Sequence, residues 1–180
     1  MNARIIVKKV LPVMLACAGQ ALAASSQSNE ASFATGVFGS ETNYSLLVSA
    51  TNTTVYKLSG GTQTSYIRER KVVADYPIVS QAIEVSSIDL QQIVALLGRR
   101  STYRFRPRLG VGFPRWKLML TFKGPEGQLD ILIWPEVGMV TAITKGRVLG
   151  AGVVLKEHKK ALEAIERRLG SALRNQESGR

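Results

Sequence analysis

The sequence predicts an α+β domain: a mostly antiparallel sheet arranged as a meander, with two helices packed on one face. Three observations point there. Residues 102–109 and 116–123 alternate large apolar with charged or polar side chains, and later apolar runs are separated by Gly and Pro turns. Two other segments carry apolar residues at helical spacing, Leu90, Ile93, Val94 and Leu97, then Leu155, Leu162, Ile165 and Leu169. At 180 residues and 45% hydrophobic, the chain is long enough for one domain with a core.

The chain begins with a basic segment holding Arg4, Lys8 and Lys9, then an uncharged apolar run centred on Val10 to Leu15, then Ala21-Leu22-Ala23. That order of charge, apolar run and small residues reads as a signal peptide over 1–23, cut after Ala23. The run is shorter than the roughly 20 apolar residues that a bilayer span needs. Cys17, the only cysteine, is a weaker lipidation site, because Met14 and Leu15 stand where a lipobox carries Leu and a small residue. The expectation is a periplasmic or secreted protein, with a lipid anchor as the lesser alternative. Cleavage at Ala23 leaves no cysteine, so the core must hold without a disulfide.

Residues 24–43 are rich in Ser, Ala, Thr and Asn and read as a flexible tether. A single domain is expected over 44–175 and a short tail over 176–180. Residues 44–50 and 52–58 read as strands, Ser59-Gly60-Gly61 as a turn, and 62–73 as further extended chain up to Pro77. Ser86 three residues before Asp89 is an N-cap arrangement, and Gly98 sits where a helix-ending glycine belongs, which predicts a helix between them. Beyond it lie strands over 102–109 and 116–123, a Gly124-Pro125-Glu126-Gly127 turn, and a strand from Leu129 to Trp134 stopped by Pro135. Strands over 137–144 and 148–155 complete the meander, the last weakened by Gly150 and Gly152. A helix from about Lys156 to Arg174 closes the chain, its apolar stripe completed by Ala172. No later segment reads as a membrane span. The most apolar candidate, Gly138 to Leu155, holds Lys145 and Arg147 near its middle.

The inventory of reactive groups is thin. His158 is the only histidine; it falls on the grid of the last helix's apolar stripe and reads as a partly packed residue. One histidine and one cysteine cannot form a Cys/His zinc site, so no metal or cofactor is expected. No phosphate-binding loop or dinucleotide fingerprint is present, since Gly110-Val111-Gly112 lacks both the third glycine and a following helix. Among the carboxylates Asp130 stands out, because it lies in a strand of Leu, Ile and Trp. Pairing with Lys117 or Lys123 is its simpler reading. Catalysis in a carboxylate-dependent envelope hydrolase is the alternative.

One surface draws attention. From Gln91 through Pro125 there is no acidic residue, yet the stretch holds Arg99, Arg100, Arg104, Arg106, Arg108, Arg115, Lys117 and Lys123. Side chains of one parity share a face of a strand. Arg104, Arg106 and Arg108 therefore project together, and pairing of the two strands in the natural register would add Lys117 and Lys123. Tyr103, Phe105, Trp116, Leu118 and Phe122 would turn to the other face. Removing Arg4, Lys8 and Lys9 with the leader lowers the formal charge from +11 to +8, which still favours anionic partners. The expectation is an exported, non-enzymatic binding protein. Its basic sheet face, with Arg115 in the loop at its lip, docks an anionic envelope polymer, a lipid head group or an acidic protein. Specific nucleic-acid binding is disfavoured by the leader. An assembly subunit working through the final helix is a third reading.

Overall fold

A computed structural model of the chain describes residues 32–59, 72–73, 76–104, 114–125, 127–144 and 147–178. Helical residues 32–38 (α1) lead into α2 (Glu41–Val48), then strands β1 (Thr53–Lys57), β2 (Val72–Val73), β3 (Tyr76–Pro77) and β4 (Ile83–Glu84). Helix α3 (Ser87–Leu97) and a 3₁₀ turn (Arg100–Thr102) precede β5 (Tyr103–Arg104). Strands β6 (Leu118–Gly124), β7 (Gly127–Trp134), β8 (Met139–Thr144) and β9 (Arg147–Val154) follow, and α4 (Lys156–Ser178) closes the chain. A second 3₁₀ turn, Pro135–Val137, separates β7 from β8.

The fold is α+β, with one open sheet of seven strands in the order β4-β1-β6-β7-β8-β9-β5; β2 and β3 form a separate ribbon. Each pairing in it is antiparallel. The predicted meander is β6 to β9, four consecutive hairpin-linked strands in the register Leu120↔Ile131↔Ala142↔Gly150.

Strand parity sorts the core into two clusters. Val55, Leu118, Leu120, Phe122, Leu129, Ile131, Ile133, Val140, Ala142 and Val154 join the buried residues of the four helices in one of them. The opposite parity supplies Met119, Leu132, Met139 and Ile143, which join Leu58, Tyr76 and Trp116 in the second. The middle strands are therefore buried on both sides, which corrects the expectation of an apolar underside and a basic outside. Trp116 precedes β6 and belongs to the second cluster, so the alternation predicted from 116 holds only from Leu118 onward.

The N-terminal boundary also moves. Residues 32–43 are part of the domain and not a tether: Phe33, Ala34, Val37 and Phe38 are all buried. They form two i, i+4 pairs on one helix face, and that spacing, more than hydrophobic content, makes the segment fold. Residues 44–48, expected as the start of a strand, are instead part of helix α2, which Ser40 caps. Its hydroxyl accepts from the Asn43 N–H at 3.1 Å, Glu41 stands in the first turn, and adjacent Leu46 and Leu47 both reach the core. At the other end α4 continues through Ser178, into the expected tail.

Helix α3 starts as predicted, with Ser86 Oγ accepting from Asp89 N–H at 3.1 Å. Its end is unusual. Gly98 has φ −79°, so left-handed freedom is not what the position uses; a Cβ there would stand 2.8 Å from the Val94 carbonyl. Three hydroxyls satisfy the last carbonyls of the helix: Thr102 donates to Leu96 at 2.7 Å, Tyr103 to Leu97 at 2.9 Å and Tyr44 to Gly98 at 2.9 Å. Such carbonyls have no partner within a helix, and buried ones need one.

Candidate anion-binding edge

Those hydroxyls decide where the arginine-rich segment goes. Thr102 and Tyr103 are tied back to the end of α3, and the Thr102 carbonyl accepts from Leu155 N–H at 2.8 Å. The chain is thereby laid along β9, with Tyr103 opposite Val154 and Arg104 opposite Val153. The expected pairing of this segment with β6 does not occur. Four strand spacings separate β5 from β6, about 19 Å at the usual interval.

The described members of the expected basic group are not brought together: Arg104 and Lys123 fall on the same side of the sheet by register, but on strands four spacings apart. Arg104 is exposed on the edge strand, while Arg106 and Arg108 lie outside the described residues, as does Cys17. Arg115 is exposed just ahead of Trp116. Lys123 is exposed near the β6–β7 turn, opposite Gln128. Lys117 forms an ion pair with Glu136. Partial burial pushes the Glu136 carboxyl up, but the hydrogen bond from Lys117, a backbone hydrogen bond and the charges of Lys117 and Lys159 outweigh that and hold it below its ordinary range. Lys117 is thus engaged by an acid that the sequence reading did not connect with it.

A different basic group is assembled instead. Arg99 and Arg100 are exposed between the end of α3 and β5, and Arg104 is exposed one residue beyond the buried Tyr103. The Leu155–Thr102 hydrogen bond brings the exposed Lys156, first residue of α4, to the same end of the sheet. Glu157 is the acidic residue beside it. Arginine forks at such an edge can bind phosphate, sulfate or carboxylate oxygens in pairs. The paired Arg99-Arg100 directly after a helix-ending glycine was the available signal in the sequence; Lys156 could not be added without the topology.

Asp130 is half-buried and accepts hydrogen bonds from Thr121 Oγ1 at 2.7 Å and Gln128 Nε2 at 2.9 Å, in place of the expected lysine. In its register row Glu84, Thr54, Thr121 and Asp130 are successive, so Glu84 stands three strands away, about 14 Å. That exceeds the roughly 5–10 Å separating the carboxyls of glycoside hydrolases. Among the described residues no three His, Cys, Asp or Glu gather as metal ligands do. His158 is half-buried, and its backbone N–H donates to the Leu155 carbonyl. The apolar stripe of α4 is Leu162, Ile165, Leu169 and Leu173, all within the domain's own core, whereas Ala172, expected on it, is exposed. An assembly role for that stripe would require it to leave the core. No described helix is long and apolar enough to cross a membrane.

Comparison with known proteins finds no matching family, no matching curated protein and no matching solved structure.

Proposed function

We propose that this is an exported binding protein without catalysis of its own, which docks an anionic partner in the periplasm or outside the cell through the β5 edge. The observation that carries this reading is the placement of exposed Arg99, Arg100, Arg104 and Lys156 on or next to one short edge strand, in a chain with a formal charge of +11. The leader-like segment over 1–23 supports the compartment, and the surviving excess of positive charge supports the sign of the partner. Lys117, already paired, contributes less than the sequence alone suggested.

The test is salt-dependent retention of the full chain on immobilised polyglutamate and on a sulfated polysaccharide. Retention should weaken steeply as added salt screens exposed charges. The double variant Arg104→Ser, Lys156→Ser should elute at markedly lower salt than the parent. Retention that ignores salt, or a double variant eluting with the parent, overturns the proposal.

A further inference from the structure

The register divides the basic edge between the two sides of the sheet, and that division narrows the class of partner. Tyr103 and its partner Val154 belong to the core cluster on the helix side. Arg104 and its partner Val153 therefore face the other way, in one row with Met139 of the second cluster. Arg99 directly follows the glycine that ends α3, and Lys156 opens α4; both helices bury their apolar residues in the helix-side cluster. One exposed cation thus stands on the far side of the edge and two stand on the helix side. Among the described residues none of these three forms an ion pair, although Lys117, Lys159 and Arg168 each do.

We infer that the β5 edge binds an unbranched acidic polysaccharide, whose successive sulfate or carboxylate groups pass across the edge from the helix side to the opposite face. This rests on the binding function proposed above and names its partner. A single small anion held on one side leaves the cation of the other unmatched, and a flat surface lying against either side meets only that side's charges. An extended acidic peptide gains most by adding a strand, where main-chain hydrogen bonds supply the affinity. β5 is two residues long and Tyr103 already donates its N–H to the Arg100 carbonyl, so the strand offers no run of bonds for that. Single-stranded nucleic acid uses exposed aromatic rings to stack its bases. The large apolar side chains exposed among the described residues are Val48, Ile88, Val137 and Val148, and none is aromatic. An acidic polysaccharide needs neither device. Its sulfates and carboxylates match the paired N–H groups of Arg99 and Arg104, and a chain with charges at intervals reaches both sides of the edge at once.

The experiment is fluorescence anisotropy of labelled heparin fragments, from the disaccharide to long chains, titrated with the full chain and its variants. Long fragments should lose about two- to fivefold in affinity on Arg104→Gln and again on Lys156→Gln, the two losses multiplying in the double variant. The disaccharide reaches one side only and is held by Arg99 and Lys156. Its affinity should fall on Lys156→Gln and stay at the parent's value on Arg104→Gln. Arg104→Lys should keep most of the affinity for long fragments. The inference is overturned if Arg104→Gln binds long fragments like the parent, or weakens disaccharide and long chain by the same factor. If polyglutamate or phosphatidylglycerol vesicles compete better than long fragments at equal charge, the polysaccharide assignment falls and the binding function stands. If salt-dependent retention on polyanions is lost as well, both fall.

Discussion

Replacing Tyr103 by Phe tests the junction that sets the whole edge. The phenol is 4% exposed, donates to the Leu97 carbonyl at 2.9 Å, and occupies the space over Gly152, where a Cβ would stand 2.5 Å from the ring. Phe keeps the ring and removes the donor. The lost hydrogen bond and the stranded carbonyl together cost about 1–2 kcal/mol at pH 7. Burial, and secondarily the charge Tyr44 acquires on ionising, push the phenol's pKa well above its usual position. Tyr103 therefore stays protonated in the folded chain while it ionises near pH 10 in the unfolded one. Above that pH the unfolded state binds fewer protons, so this residue's contribution to stability falls as pH rises, by about 1.4 kcal/mol at pH 11. Urea unfolding of parent and Tyr103→Phe at pH 7 and pH 11 reads the prediction directly. The parent should be more stable at pH 7, and most of the difference should vanish at pH 11. A difference that stays constant between the two pH values refutes the buried, protonated phenol as the tie between α3 and β5.

Other substitutions test other parts of the structure. Phe33→Ala should cost about 3–5 kcal/mol in urea unfolding, because a fully buried ring leaves the core; a change under 1 kcal/mol would return residues 32–38 to the status of a tether. Gly150→Ala should cost about 1–3 kcal/mol or more, since its Cβ would stand 2.5 Å from the Gly36 carbonyl; a neutral result means α1 does not lie on β9. On the polyanion columns Lys117→Ser should elute close to the parent while Arg104→Ser elutes early, and the reverse order would reinstate the sheet-face site.

The parts of the fold legible in the sequence were those whose signals are local. Ser86 and Asp89 cap α3 because an N-cap involves residues three apart, and Gly124-Pro125 turns β6 into β7 within the same short range. Period-2 alternation located the meander strands but misjudged their surroundings. Met119 and Thr121 read as a solvent side, yet both are buried, because Leu58 and Tyr76, distant in sequence, join Trp116 in the cluster over that side. Helix α2 was misread for a related reason. Tyr, Val and Leu in 44–48 suit a strand on composition, and the deciding feature was one hydroxyl, Ser40. The site suffered most. Its expected form needed Arg104 and Lys117 on neighbouring strands, and register between non-adjacent segments depends on contacts such as Leu155 N–H to the Thr102 carbonyl, which no local pattern encodes.

A charged, two-residue edge strand has a simpler purpose to set against docking. Short edges bearing a charge are how open sheets avoid pairing with other chains. That purpose accounts for Arg104, which stands on β5 itself. It does not account for Lys156, which belongs to a helix and cannot obstruct strand pairing, nor for Arg99 and Arg100 in the turn before the strand. The two purposes therefore separate by residue. Under docking, Lys156→Ser lowers polyanion retention and leaves the sedimentation coefficient of the chain unchanged at every concentration. Arg104→Ser lowers retention too, and only this variant should show concentration-dependent association, since only it uncovers an edge. Were Lys156→Ser to elute with the parent while Arg104→Ser associated, the charge at β5 would be protection alone, and the docking role of the edge would have no residue left to rest on but the adjacent arginine pair.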